Sequence, residues 1–317
     1  MKRRPLGKTG MDVSILSYGA SALGSVYREI NDEEGIRAVH MAFDRGVNYF
    51  DVAPAYGNLK AEVVLGKALA GLPRDQYLLS TKTGKWCSYD GVGDHIYDFS
   101  EDRIRASLQE SMDRLGTDYL DIVHLHDIEY DRGCYIDQAL GEGLTVLQEL
   151  KKEGVIRAVG VSNYDMAVWH QVLARAELDT IMVHNHYCLN DTLLLELFPE
   201  VRKQGIGIIN ASPFASGLLT QRGPADWHPI GEKEKAIFRK AVKFCADAGS
   251  SIEEVAMPFA LGNDEIPTTL VSTASADRMA QNLDWSELPL NPALVEDVQQ
   301  ILAPVMNRDW AFAKHCT

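Results

Sequence analysis

The sequence predicts a (β/α)8 barrel, a closed ring of eight parallel strands wrapped in helices, with an N-terminal β-hairpin and long βα loops. Three observations predict it. Short runs rich in β-branched or aromatic residues alternate with amphipathic segments almost end to end, as parallel strands joined by right-handed helical crossovers do. Three of the runs end in a polar side chain, Asp51, Lys82 and His126; strands of such a barrel deliver residues to its active face in this way. The 317 residues suit a single domain of eight units with one or two insertions.

In chain order the strand segments are 14–18, 47–51, 77–82, 119–125, 156–161, 180–186, 206–211 and 268–272. The intervening helices announce themselves by spacing. Over 33–45, Ile36, Val39 and Phe43 step by three and four, and Gly46 follows where a helix end favours positive φ. Over 102–115, Ile104, Leu108, Met112 and Leu115 form one face, with Ser100 as cap and Glu101 and Asp102 as an acidic first turn. Over 141–153, Leu144, Leu147 and Leu150 repeat and Gly154 stops the helix. A doubly wound open sheet is the competing arrangement. However, Gly19-Ala20-Ser21-Ala22-Leu23-Gly24 lacks the Gly-x-Gly-x-x-Gly spacing such a sheet carries after its first strand.

Composition narrows the function. Hydrophobic residues make up 46%, enough for a full core, and the net charge of -14 repels polyanions, which argues against nucleic acid as a partner. No run approaches the roughly 20 apolar residues of a membrane helix, and the basic start Met1-Lys2-Arg3-Arg4 lacks the apolar stretch of a secretory signal. The five cysteines are scattered and odd in number, so free thiols and the cytoplasm are expected. No His/Asp cluster has metal-ligand spacing, so no metal is expected.

Two stretches break the strand-helix rhythm, 84–99 and 217–231. Both follow strands and overhang the face where βα loops build a site. They carry Trp86, Trp227 and His228, side chains suited to a ring-shaped ligand. Tyr56 follows the second strand in Ala53-Pro54-Ala55-Tyr56-Gly57. An ordinary tyrosine has a pKa of about 10, so it donates a proton well and is a weak base near neutrality. A lysine ammonium nearby favours the phenolate. Asp51 would hold Lys82, and His126 would orient a substrate oxygen. Tyr56 then acts as acid toward a carbonyl or base toward an alcohol. None of the four supplies a hydride, so a nicotinamide cofactor is implied. Taken singly, each has an ordinary alternative: a helix-capping Asp, a paired Lys, a core His. Four together on three successive strands favour the chemical reading.

The chain resembles the aldo-keto reductases. The resemblance rests on Phe50-Asp51-Val52-Ala53-Pro54-Ala55-Tyr56-Gly57, Ser80-Thr81-Lys82, Asp118-Tyr119-Leu120-Asp121-Ile122 with His126, and Gly160-Val161-Ser162-Asn163. It implies NAD(P)-dependent hydride transfer, with the family's catalytic tetrad at Asp51, Tyr56, Lys82 and His126. His126 is preferred to His124 because it lies five residues after Asp121, the family's spacing. Gly19 to Val26, His124-Leu125-His126-Asp127-Ile128-Glu129 and Gly223 to Pro229 resemble the branch that oxidises the anomeric carbon of L-galactose, L-fucose and related sugars to the lactone with NAD.

By the same resemblance Ser162 and Asn163 bind the nicotinamide carboxamide. Ser212, Leu218 and the stretch from Ser272 through Arg278 and Gln281 to Asn282 hold the pyrophosphate and adenosine. The chain departs from the commoner pattern at Ala211, where many members stack a tyrosine, and at His184, where many carry a glutamine; Tyr187 is the candidate to compensate. Ser272 replaces the lysine that binds a 2′-phosphate, which favours NAD, while Arg278 keeps NADP possible. Two other functions compete: a general NADPH-dependent carbonyl reductase, and a regulatory barrel subunit. The expected partner is a small sugar, and the expected state a monomer or weak homo-oligomer.

Overall fold

The computed structural model describes residues 1–26, 28–86, 95–130, 133–224 and 228–308. In chain order the strands are Arg3–Pro5 (β1), Asp12–Ser14 (β2), Leu16–Gly19 (β3), Tyr49–Asp51 (β4), Leu78–Thr83 (β5), Lys85–Trp86 (β6), Ile96–Tyr97 (β7), Leu120–His126 (β8), Ile156–Asn163 (β9), Thr180–His184 (β10), Gly207–Ala211 (β11) and Thr268–Ser272 (β12). Eight of them close in the order β10-β11-β12-β3-β4-β5-β8-β9, all pairs parallel. All eight expected strands are present, and the fold is a (β/α)8 barrel.

Strand ends shift for identifiable reasons. The second strand begins at Tyr49 rather than Val47 because the Asn48 side chain turns to the N-terminal hairpin. It accepts from the Ser14 N–H at 2.7 Å and donates to the Asp12 carbonyl at 2.8 Å. The sixth ends at His184 because Asn185 takes a left-handed φ of 61°. The β1–β2 hairpin closes the barrel's far end: Leu6, Met11 and Val13 pack with the inward Tyr49, Ile122, Ala158, Met182, Ile209 and Leu270.

The helices surround this ring. Asp32–Asp44 is capped by Asn31, whose side chain accepts from the Glu33 and Glu34 N–H groups, and Gly46 takes φ 90° as its position requires. Glu101–Leu115 buries Ile104, Leu108, Met112 and Leu115, each contributing roughly 1.5–3 kcal/mol of burial. Ser100 stands at its N-cap but its hydroxyl does not cap the helix. The Glu101 N–H donates instead to the Glu142 carboxylate at 2.8 Å, brought across from the next helical unit. The third expected helix is Leu144–Glu153, entered through a wide π turn at Ala139–Gly143. Among the described residues Cys188 and Cys245 are free thiols, and no helix is long and apolar enough to cross a membrane.

Candidate active site

Register brings the polar strand ends together. Asp51 pairs with Ser80, Lys82 with His124, and His126 with Ser162. Because side chains alternate along a strand, Asp51, Lys82, His126 and Ser162 all face inward at the C-terminal rim. His124 lies one pleat deeper and is fully buried, its Nε2 3.2 Å from Thr180 Oγ1. Only a glycine fits at 160 beside it, since a Cβ there would collide with both Thr180 and the His124 ring.

Lys82 is fully buried. Its ammonium donates to Asp51 Oδ2 at 2.5 Å and to the Val52 carbonyl at 3.0 Å, and stands 4.8 Å from the centre of the Tyr56 ring. Asp51 Oδ1 accepts from Ser80 Oγ at 2.7 Å. Burial pushes the Asp51 carboxyl above its ordinary range, with Lys82 and Ser80 opposing; a buried carboxylate persists only with such partners. Tyr56 meets His126 edge to face, ring centres 5.7 Å apart. Its loop is pressed onto the first βα loop so closely that side chains at Gly24 and Gly57 would strike backbone. Burial, with Lys85 and Lys82 adding to it against the pull of Asp127, drives the His126 pKa well below its ordinary value, so the ring is neutral.

The expected cofactor residues also collect on this rim. Ser162 Oγ is 3.0 Å from His184 Nε2. Asn163 accepts from the Ile128 N–H at 3.0 Å, while its Nδ2 is buried with no hydrogen-bond partner among the described residues; so is Asn282 Oδ1. A buried polar atom left this way is costly, and the two fit a ligand with both donors and acceptors, as a nicotinamide dinucleotide is. Ser212 holds a left-handed φ of 67° just after β11, and Leu218 is buried. Ser272 Oγ accepts from the Ala22 N–H and the Ser21 hydroxyl, both at 2.9 Å. Arg278 and Gln281 are exposed on the helix Ala276–Ser286, with the Arg278 guanidinium 5.5 Å from the Trp285 ring.

Three of the expected residues make other contacts in the structure. Tyr187 stacks on Phe259 of the helix layer, ring centres 5.2 Å apart. Trp86 lies against Arg103, 4.8 Å from ring to guanidinium. Its neighbour Lys85, on the opposite face of β6, is the one that turns to the mouth, with Nζ 2.6 Å from Asp127 Oδ2. His228 is buried and tied to its own loop, its Nδ1 accepting from the Ile230 N–H at 3.2 Å. Trp227 lies outside the described residues. Sequence reasoning missed Lys85, Asp127, Ser80 and Tyr49. Lys85 was hidden among aromatics, although Asp127 directly follows His126.

The sequence profile of the aldo/keto reductase family matches residues 15–303, nearly the whole barrel. The chain belongs to that family. Like its members, this aldo/keto reductase is an NAD(P)-dependent oxidoreductase. It is 37% identical to L-galactose dehydrogenase of Arabidopsis thaliana, the match covering 98% of each chain. It is 30% identical to D-threo-aldose 1-dehydrogenase of Pseudomonas sp, over 90% of this chain and 93% of that one. Among solved structures, an aldo-keto reductase from Bacillus halodurans in its holo form superposes with a TM-score of 0.81 at 27% identity, covering 99% of this chain and all of the other.

Proposed function

We propose that this enzyme is an NAD-dependent aldose 1-dehydrogenase, oxidising the anomeric carbon of a sugar such as L-galactose or L-fucose to the lactone. The observation that carries the reading is the Asp51–Lys82 pair buried beneath Tyr56 with a neutral His126 beside it. The names of the similar sugar dehydrogenases give it a substrate class.

A nicotinamide cofactor held at this rim would supply the acceptor for the hydride that the anomeric carbon gives up. Tyr56 takes the proton of the anomeric hydroxyl, so that carbon leaves as a lactone carbonyl. The Lys82 ammonium, fixed by Asp51 and the Val52 carbonyl, favours the phenolate form Tyr56 needs. Neutral His126 hydrogen-bonds the reacting oxygen and fixes its angle. Ser162, Asn163 and His184 would hold the carboxamide, and Ser212, Leu218, Ser272, Gln281 and Asn282 the rest of the cofactor.

Initial rates of NADH formation across L-galactose, L-fucose, D-arabinose and common aldehydes test this. Oxidation of an aldose with NAD at rates well above any aldehyde reduction is expected. A broad aldehyde panel turned over with NADPH and no aldose oxidised would replace it with the second reading, which the exposed Arg278 favours.

A further inference from the structure

We infer that Asp127 is the specificity-determining carboxylate of this site, accepting a hydrogen bond from the hydroxyl on the carbon next to the reacting one, and that Lys85 holds it in place. The substrate class rests on the aldose reading above; the chemistry of the subsite rests on the following geometry.

In an extended strand, consecutive side chains point to opposite faces. Asp127 breaks that rule. Its backbone takes φ 50°, a left-handed conformation uncommon outside glycine. Two bonds hold it there: its own N–H donates to the Ser162 carbonyl at 2.8 Å, and the next N–H, of Ile128, donates to Asn163 Oδ1 at 3.0 Å. The result is that His126 and Asp127, neighbours in sequence, face the same mouth, with Asp127 Oδ2 3.6 Å from His126 Nε2.

The carboxylate is 13% exposed and its partner ammonium 7%. Lys85 reaches it from the β6–β7 hairpin at 2.6 Å and lies 4.3 Å from the Tyr130 ring centre. That pairing engages Oδ2. Oδ1 accepts no hydrogen bond among the described residues. Burial works against ionisation of this carboxyl, yet the charges around it, the Lys85 ammonium first, outweigh it and hold the group well below the usual carboxylate range. An ionised carboxylate only accepts, so its ligand must bring a donor.

The reacting oxygen belongs between Tyr56 and His126. A group on the adjacent carbon then lies one substituent away, the distance by which Asp127 is set off from His126. An α-hydroxyl supplies the donor. A simple aldehyde or a 2-deoxy sugar turns a C–H bond to the carboxylate and leaves it unpaired, the situation in which polar sites discriminate most strongly.

The test compares substrates differing only in that hydroxyl. We expect kcat/KM for L-galactose to exceed that for 2-deoxy-L-galactose, and that for NADH reduction of glycolaldehyde to exceed that of acetaldehyde, each by at least about tenfold. In Asp127→Ala made together with Lys85→Met, so that no buried ammonium is left unpaired, both preferences should shrink to within about threefold. The loss should fall on the hydroxylated member of each pair, with NAD affinity and thermal midpoint kept as controls. Equal handling of both pairs by the wild type overturns the inference and leaves the aldose reading standing. An equal loss on both members in the variant also overturns it, since Asp127 would then act through His126. If no aldose is oxidised but glycolaldehyde keeps its preference, the aldose reading falls and the subsite remains.

Discussion

Tyr49 and Asp51 are joined through one hydroxyl: Ser80 Oγ stands 2.8 Å from Tyr49 OH and 2.7 Å from Asp51 Oδ1. The carboxylate only accepts, so Ser80 donates to it and Tyr49 donates to Ser80. Burial first, and then the charge of Asp51, hold the Tyr49 phenol well above its ordinary pKa, so the donor keeps its proton. Asp51 is thus anchored from below by Ser80 as well as by Lys82.

Ser80→Ala should strand two buried polar groups at once. An unfolding free energy lower by about 1–3 kcal/mol is expected, together with a several-fold fall in kcat as Asp51 and Lys82 lose their fixed orientation. Denaturant melts and steady-state rates measure both. An unchanged melt would mean that water replaces the hydroxyl without loss.

Tyr56→Phe removes the proposed proton carrier and keeps the ring beside Lys82 and His126. A fall in kcat of about 10²-fold or more is expected, with NAD affinity by fluorescence titration nearly unchanged. Retention of a tenth of wild-type kcat contradicts the assignment.

NAD should be preferred to NADP. Ser272 Oγ already accepts two hydrogen bonds, and a hydroxyl there offers a phosphate dianion far less than an ammonium would. Arg278 is the only expected cation at hand, and it faces the Trp285 ring. If kcat/KM nevertheless favours NADP, Arg278→Ala should erase that preference; if NAD is preferred, the variant should leave NAD kinetics near wild type.

Stability should depend on pH through two sets of buried groups that act with opposite sign. Burial holds His184 down to about 4, and His124 and His126 lie well below their ordinary 6.5. Unfolded, all three take up protons as pH drops through 6.5 while the native rings resist, so stability is lost from there toward pH 4. Glu129 is the reverse case. Burial, and then the neighbouring Asp127, raise its carboxyl to about 8. Between 4.5 and 8 the unfolded side chain ionises and the native one does not, so stability declines as pH rises through that window. Glu129→Gln keeps an acceptor for the Tyr164 N–H, bonded at 2.9 Å. The variant should therefore melt above wild type at pH 8, by an amount that shrinks toward pH 4.5. A pH-independent difference would rule out the titration.

His228→Ala should lower the thermal midpoint by loosening the 217–231 loop, because the imidazole is buried and braces Ile230. Aldose KM and NAD affinity should stay near wild type. A rise in aldose KM with unchanged stability would return His228 to the sugar contacts.

The barrel was legible because each strand's run of β-branched or aromatic residues is bounded by polar or turn residues. The tetrad was legible because Asp51, Lys82 and His126 each interrupt such a run at the same relative place. The missed features depend on geometry that residue types do not encode. Whether Lys85 or Trp86 faces the mouth is decided by the twist of a two-residue strand. Asp127 joins the site through a single left-handed φ. Tyr187 was singled out by position alone, which does not reveal its stacking on Phe259. Ser100 stands at its N-cap position without its hydroxyl capping the helix, and a distant carboxylate, Glu142, takes the N–H of the first helical residue, Glu101.

The N-terminal hairpin gives the molecule a floor. With Leu6, Met11 and Val13 wedged beneath Tyr49 and Ile122, the barrel is a cup and not a pipe. Among the described residues this floor closes the way to Asp51, Lys82 and His126 from below, so whatever binds beside them shares one doorway with water. Each turnover has to be emptied by the way it was filled, which makes order of arrival and departure a property of the rim.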